Sequence, residues 1–200
     1  MPSFTVPVDG VTGTNEWLDT GLSACAATNV DNDNDDTDFC KENISGHEVT
    51  FTTDISAVPS DISSITSVRI RFKARNTSTR NNFVIVSQTG TSISNGTDTI
   101  TIAGTGLSNT YTLYSGTAES TYNGTTAWSS NLSQLADLEI KVDKFRNSSI
   151  GTETRISYIY AEVIYVATSG YVNEVNGIES GDISSINGIA KANIAKVNGV

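Results

Sequence analysis

The apolar positions of this chain recur mostly at intervals of two, in short runs separated by Gly, Asn and Ser, and that pattern predicts strands. The clearest run is residues 68–75. There Val68, Ile70, Phe72 and Ala74 share one face, and Arg69, Arg71, Lys73 and Arg75 share the other. Residues 48–55 alternate Val49, Phe51 and Thr53 against Thr50 and Thr52. Further strands are predicted at 83–87, 98–102, 110–114 and 138–142, the second of them following an Asn95-Gly96 turn. In residues 156–167 both alternating sets are apolar, as in a strand covered on both faces. One stretch departs from this period. Trp128, Leu132, Leu135 and Leu138 fall three or four apart and predict one or two helical turns. Val6-Pro7-Val8-Asp9-Gly10 predicts an edge segment running into a turn, because proline has no N–H to give a ladder. Trp17 is expected to anchor the core. The reading is all-β: a two-sheet sandwich of jelly-roll or Greek-key type, with residues 1–24 as its N-terminal edge segment and 25–167 as the sandwich domain.

After Ser169-Gly170 the pattern changes. Val175-Asn176-Gly177-Ile178, Ile186-Asn187-Gly188-Ile189 and Val197-Asn198-Gly199-Val200 recur every eleven residues. Ile183 and Ile194 follow in register, and Val172 fills the same slot one repeat earlier. Each unit is an apolar pair around an Asn-Gly turn, which supplies the positive φ angles a tight hairpin needs. One unit cannot bury its own apolar face, so residues 168–200 read, rather than as a disordered tail, as an extended, repetitive C-terminal arm whose apolar residues are buried against other subunits. Thirty extended residues reach on the order of 100 Å, enough to lace one subunit to another.

Composition agrees with strands. Hydrophobic residues are 37% of the 200, with only three prolines. The formal charge of −10 repels phosphate backbones and excludes general nucleic-acid binding. No run approaches the roughly 18 apolar residues that read as a membrane span. The N-terminus shows neither the basic nor the apolar region of a secretory signal, so assembly in a cytoplasm is expected. In that reducing compartment Cys25 and Cys40 are expected to be free, buried thiols, and the Asn-x-Ser/Thr sequons to be chance matches.

The candidate chemistry is sparse. The one histidine, His47, stands beside Glu48, and no nucleophile elbow, paired-histidine motif or phosphate loop is present, so no enzyme is expected. Asp31, Asp33, Asp35, Thr37, Phe39 and Glu42 occupy positions 1, 3, 5, 7, 9 and 12 of a calcium-loop template, but the glycine of position 6 is Asp36. Asp31, Asp33 and Asp35 are therefore the candidate ligands for calcium, and a solvated acidic loop is the simpler reading. The Arg69, Arg71, Lys73 and Arg75 face is either edge-protecting charge or a partner for that loop, within one subunit or between subunits. Pairing is the favoured expectation.

Several segments in order resemble a loose family of small virion structural proteins of tailed bacteriophages. They are Trp17, residues 34–39, the 65–75 strand, Trp128, residues 135–142 and residues 157–163, with the Asn-Gly tail similar to repeats at the C-termini of phage particle proteins. The resemblance implies a non-enzymatic virion protein, foremost a capsid decoration (cement) protein, with a tail, neck or fibre component as the alternative. It implies self-association as a trimer and contact with the major capsid protein or other virion proteins, without nucleic acid or membrane. A sugar-binding host-attachment module is the rival reading, carried by Tyr111, Tyr114 and Tyr122 if their rings are exposed.

Overall fold

A computed structural model of the chain describes residues 1–31, 33, 35–44, 46–77, 82–90, 99–101, 107–122, 125–128, 133–146, 153–167, 185–186 and 189–190. The elements are β1 (Ser3–Asn15), β2 (Cys40–Glu42), β3 (Glu48–Thr53), β4 (Ile62–Asn76), β5 (Asn82–Thr89), β6 (Thr99–Thr101), β7 (Thr112–Ser115), α1 (Ser133–Ala136), β8 (Glu139–Arg146), β9 (Thr154–Ala167), β10 (Ser185–Ile186) and β11 (Ile189–Ala190). Among the described residues nine strands form one antiparallel sheet in the order β6-β5-β8-β3-β1-β9-β4-β7, with β2 also paired to β9. The protein is all-β.

The sheet curls on itself. Gln88 of β5 donates to the backbone oxygen of Val68 on β4, at 3.4 Å, although these strands lie far apart in the sheet order. The enclosed core takes one face from every long strand: Val6 and Val8, Val49 and Phe51, Val68, Ile70, Phe72 and Ala74, Val84 and Val86, Ile140 and Val142, and Ile159, Ala161 and Val163. Trp17 is fully buried beneath them, its indole N–H 3.3 Å from the His47 carbonyl oxygen. The helical turn is realised as α1, which buries Leu135 at one end of the core. Thr53 donates its hydroxyl to the Leu135 and Leu138 carbonyls and so ties α1 to β3.

The N-terminal segment is not an edge. β1 is paired on both sides, through residues 3–7 to β9 and through residues 8–15 to β3. Pro7 is tolerated in this central strand because it sits where β1 passes from one partner to the other. There its carbonyl is still used, accepting from the Asp54 N–H at 2.8 Å. The cysteines also differ from expectation. Cys25 and Cys40 form a disulfide with their Cα atoms 5.4 Å apart, rather than two thiols. Leu18 bridges to both Ala24 and Lys41, which brings the two cysteines together from 15 residues apart.

Candidate interaction surface

β4 alternates as its sequence requires. Val68, Ile70, Phe72 and Ala74 are completely buried, and Arg69, Arg71, Lys73 and Arg75 stand on the outer face. Their cross-strand partners on β9 are, in order, Glu162, Tyr160, Tyr158 and Arg155. The segment between the cysteines closes over the lower part of this face. A 3-10 turn at Ala27–Asn29 packs on β1, and the Val30 carbonyl accepts the Ile159 N–H at 3.0 Å, just below the point where β1 leaves β9. The chain then crosses the face toward β4, and its second 3-10 turn, Asp35–Thr37, contacts β9.

That crossing pairs the acidic loop with the cations. Lys73 Nζ lies 2.6 Å from Asp33 Oδ1. Asp36 takes Arg75, and at 3.4 Å Arg155, which is also held by Glu153 at 2.5 Å. Two aromatic rings carry cations here: Arg155 lies 4.3 Å from the Phe39 ring centre and Arg75 4.9 Å from that of Tyr111. Higher on the face Glu162 accepts from Arg69 Nε at 2.5 Å and lies 3.0 Å from Arg71 Nε. The Arg69 hydrogen bond, reinforced by both positive charges, holds the Glu162 carboxyl below the usual carboxylate range. The same bond raises Arg69. Burial, followed by the charges of Tyr160, Asp33 and Asp31, raises the Tyr158 phenol.

The calcium candidates have these settings. Asp33 is engaged by Lys73, Asp35 opens the 3-10 turn, and Asp31 lines a cleft of ≈ 400 Å³ with Asp9, Asp54 and Thr28. Among the described residues no three His, Cys, Asp or Glu side chains converge as metal ligands. Two carboxylates of the loop, Asp33 and Asp36, are counter-charges to β4. The three tyrosines considered for sugar stacking are engaged within the chain. Tyr114 stacks on Phe72, Tyr122 packs on Trp128, and Tyr111 lies under Arg75. Of the arm residues, Ile186 and Ile189 face each other as a backbone pair in the β10–β11 hairpin. Val172, Val175, Ile178, Ile183, Ile194, Val197 and Val200 lie outside the described residues.

A buried polar knot went unread in the sequence. Glu42 is 5% exposed, and its carboxylate accepts the N–H groups of Asn43 and Ile44 at 2.6 Å each. The His47 Nδ1 stands 3.0 Å from the same carboxylate. Lys144, fully buried on β8, donates to the Glu42 carbonyl at 2.6 Å. Each group is spent on satisfying another, so the knot pins β2, β3 and β8 together. The available signal was faint: a lysine at an inward position of β8 demands a buried acceptor.

No protein-family model matches this sequence, and no curated protein matches it. A similar solved structure comes from work on endo-acting O-glycanases that prominent members of the human gut microbiota express to initiate mucin breakdown. It shares 11% identity over 64% of this chain and 80% of that chain, with a TM-score of 0.33. So remote a likeness transfers no residue role.

Proposed function

We propose that the protein is a non-enzymatic structural component of a tailed-bacteriophage particle, a capsid decoration protein that stabilises the shell by gripping neighbouring subunits. The two halves of the curled sheet, meeting across one core, are read as the two layers of a jelly-roll or Greek-key sandwich. This body is the rigid platform, and residues 168–200 are the arm. The observation that carries the reading is the β10–β11 hairpin. Ser185–Ile186 pairs with Ile189–Ala190 around Asn187-Gly188, well beyond the end of β9 at Ala167. Among the described residues two on each side pair, and an isolated hairpin is marginally stable at best in water, so on this reading a surface completes the element. The same Val/Ile-Asn-Gly-Ile/Val unit stands eleven residues before and after. A row of such units, each requiring support, suits contact with other subunits and with the major capsid protein. The cations of β4 and the carboxylates around them are read as a second inter-subunit contact, and the protein as a homo-oligomer.

Gold labelling of intact particles with an antibody against residues 1–167 tests the assignment. Label distributed over the capsid is the expected result. Label confined to the tail tip, or absent from purified particles, overturns it.

A further inference from the structure

The outer face of β4 and β9 is electrically uneven along the strand direction. At its lower end the loop from Asp31 to Asp38 carries five aspartates, against the three cations, Lys73, Arg75 and Arg155, that it meets. One step higher the balance reverses. Arg69 and Arg71 share one carboxylate, Glu162, and both approach it through Nε. Among the described residues neither guanidinium makes another ion pair, so their terminal N–H groups stand ready for further carboxylate oxygens. Asp33 and Asp36, although paired from beneath, are 56% and 61% exposed. Leu113, the cross-strand partner of Lys73, is 47% exposed among them.

A face with a cationic surplus beside an anionic one is complementary to itself under a two-fold rotation. Alternate residues of a strand are about 6.6–6.8 Å apart. An axis parallel to the sheet and perpendicular to β4, at the level between Arg71 and Lys73, sets the Arg71 level of one copy against the Lys73 level of the other. It sets Arg69 against Arg75 in the same way. The carboxylates already seated at those lower levels are Asp33 and Asp36. We propose that this face is a two-fold self-association surface, in which Arg71 and Arg69 of one copy bond Asp33 and Asp36 of the other and Leu113 is buried near the axis. The proposal rests on the reading of the β4 cations as an inter-subunit contact and names their partner. It joins copies in pairs, independently of any contact made by the arm. The net charge of −10 repels a second copy as it repels a polyphosphate, so such a contact has to rest on local complementarity.

Sedimentation equilibrium of the purified full-length chain tests it. A monomer–dimer equilibrium is expected, weakening about tenfold or more between low and high salt because the contacts are ionic. Arg71→Asp and Asp33→Arg should each abolish the dimer, and an equimolar mixture of the two should restore it as a heterodimer. Thermal melts establish that each variant is folded, and Arg71→Gln with Asp33→Asn, which keep shape and remove charge, are expected to weaken the dimer in the same order. A wild type that stays monomeric overturns the proposal. So does a mixture of folded charge-swapped chains that fails to pair. An oligomer indifferent to salt and to all four substitutions removes this face while leaving the particle assignment standing, since the arm would then hold the copies together.

Discussion

A single carboxylate, Glu162, anchors the charge balance of the outer face, and its titration gives a signed prediction. Its folded pKa lies below the ordinary value because Arg69, then Arg71, favour the ionised form. The stability this contributes is therefore fully present above the ordinary carboxylate pKa and is lost as pH falls through the depressed value. Glu48, lowered chiefly by its hydrogen bond with Lys141, has the same sign. Asp143, raised chiefly by burial, has the opposite one, with a cost at neutral pH that protonation relieves. Urea denaturation from neutral to acid pH should show Glu162→Gln less stable than the wild type at pH 7 by about 1 kcal/mol. The two should converge as Glu162 protonates, and parallel curves at all pH values would refute this. The disulfide was not legible at this scale. Two cysteines 15 residues apart do not by themselves say whether they pair, whereas the pairing of Leu18 with both Ala24 and Lys41 decides the matter, and no local pattern announces it. Replacing both Cys25 and Cys40 by Ser should lower stability by about 3 kcal/mol and lower the melting temperature measurably. A reductant should do the same to the wild type and nothing to the variant.

Elements were legible where one face is wet and the other dry. β4 declares itself by strict alternation from Val68 to Arg75, yet the strand begins at Ile62. Its first turn of sequence, Ile62-Ser63-Ser64-Ile65-Thr66-Ser67, hides the period behind register shifts at Ile62/Ser64 and Ile65/Ser67. The sequence of β9 predicts a strand covered on both faces. Its core face holds Ile159, Ala161 and Val163, while on the other face Tyr160 is buried and Tyr158 and Glu162 are half-buried beneath the loop and the arginines. β1 misled because Pro7 is a reliable edge signal only when a strand keeps one pair of neighbours. The end of β5 makes a further demand. Gly90 has φ +154°, and a Cβ there would clash with the Asp137 carbonyl oxygen, which is backbone and cannot move aside. Gly90→Val should therefore cost about 1–3 kcal/mol, read as a lowered denaturation midpoint. Gly46→Val, also at positive φ but facing open space, should cost less.

For the whole molecule, opposite charges far apart in the sequence proved informative. A stretch rich in aspartate and a strand lined with Arg and Lys predicted each other, and Asp33–Lys73 and Asp36–Arg75 join them across about forty residues. The Glu42–His47–Lys144 knot gave no such sign, because its partners are mostly backbone groups placed by the fold. The C-terminal segment proposed as an arm makes the opposite case, since its repeat is plain in sequence and its purpose depends on what surrounds it. Among the described residues the core cluster draws its members from positions 6 to 163. On the proposed reading of residues 168–200 as a separate arm, truncation after Ser169 should leave the melting temperature of the body within a degree or two of the full chain. On the same reading nine apolar residues, from Val172 to Val200, act between subunits. Fully burying one such side chain is worth roughly 1.5–3 kcal/mol, and ordering the backbone costs about 1–2 kcal/mol per residue. On the proposed reading the tail therefore binds only marginally unless its Asn-Gly units place several apolar residues at once. Gly188→Val, which takes the glycine from the Asn-Gly pair between β10 and β11, should on that reading weaken attachment nearly as much as truncation does. The measurement is retention on bare particles after washing, with full-length, truncated and Gly188→Val chains compared. Equal retention of all three would mean that the arm contributes nothing to attachment, whatever the outer face of β4 does.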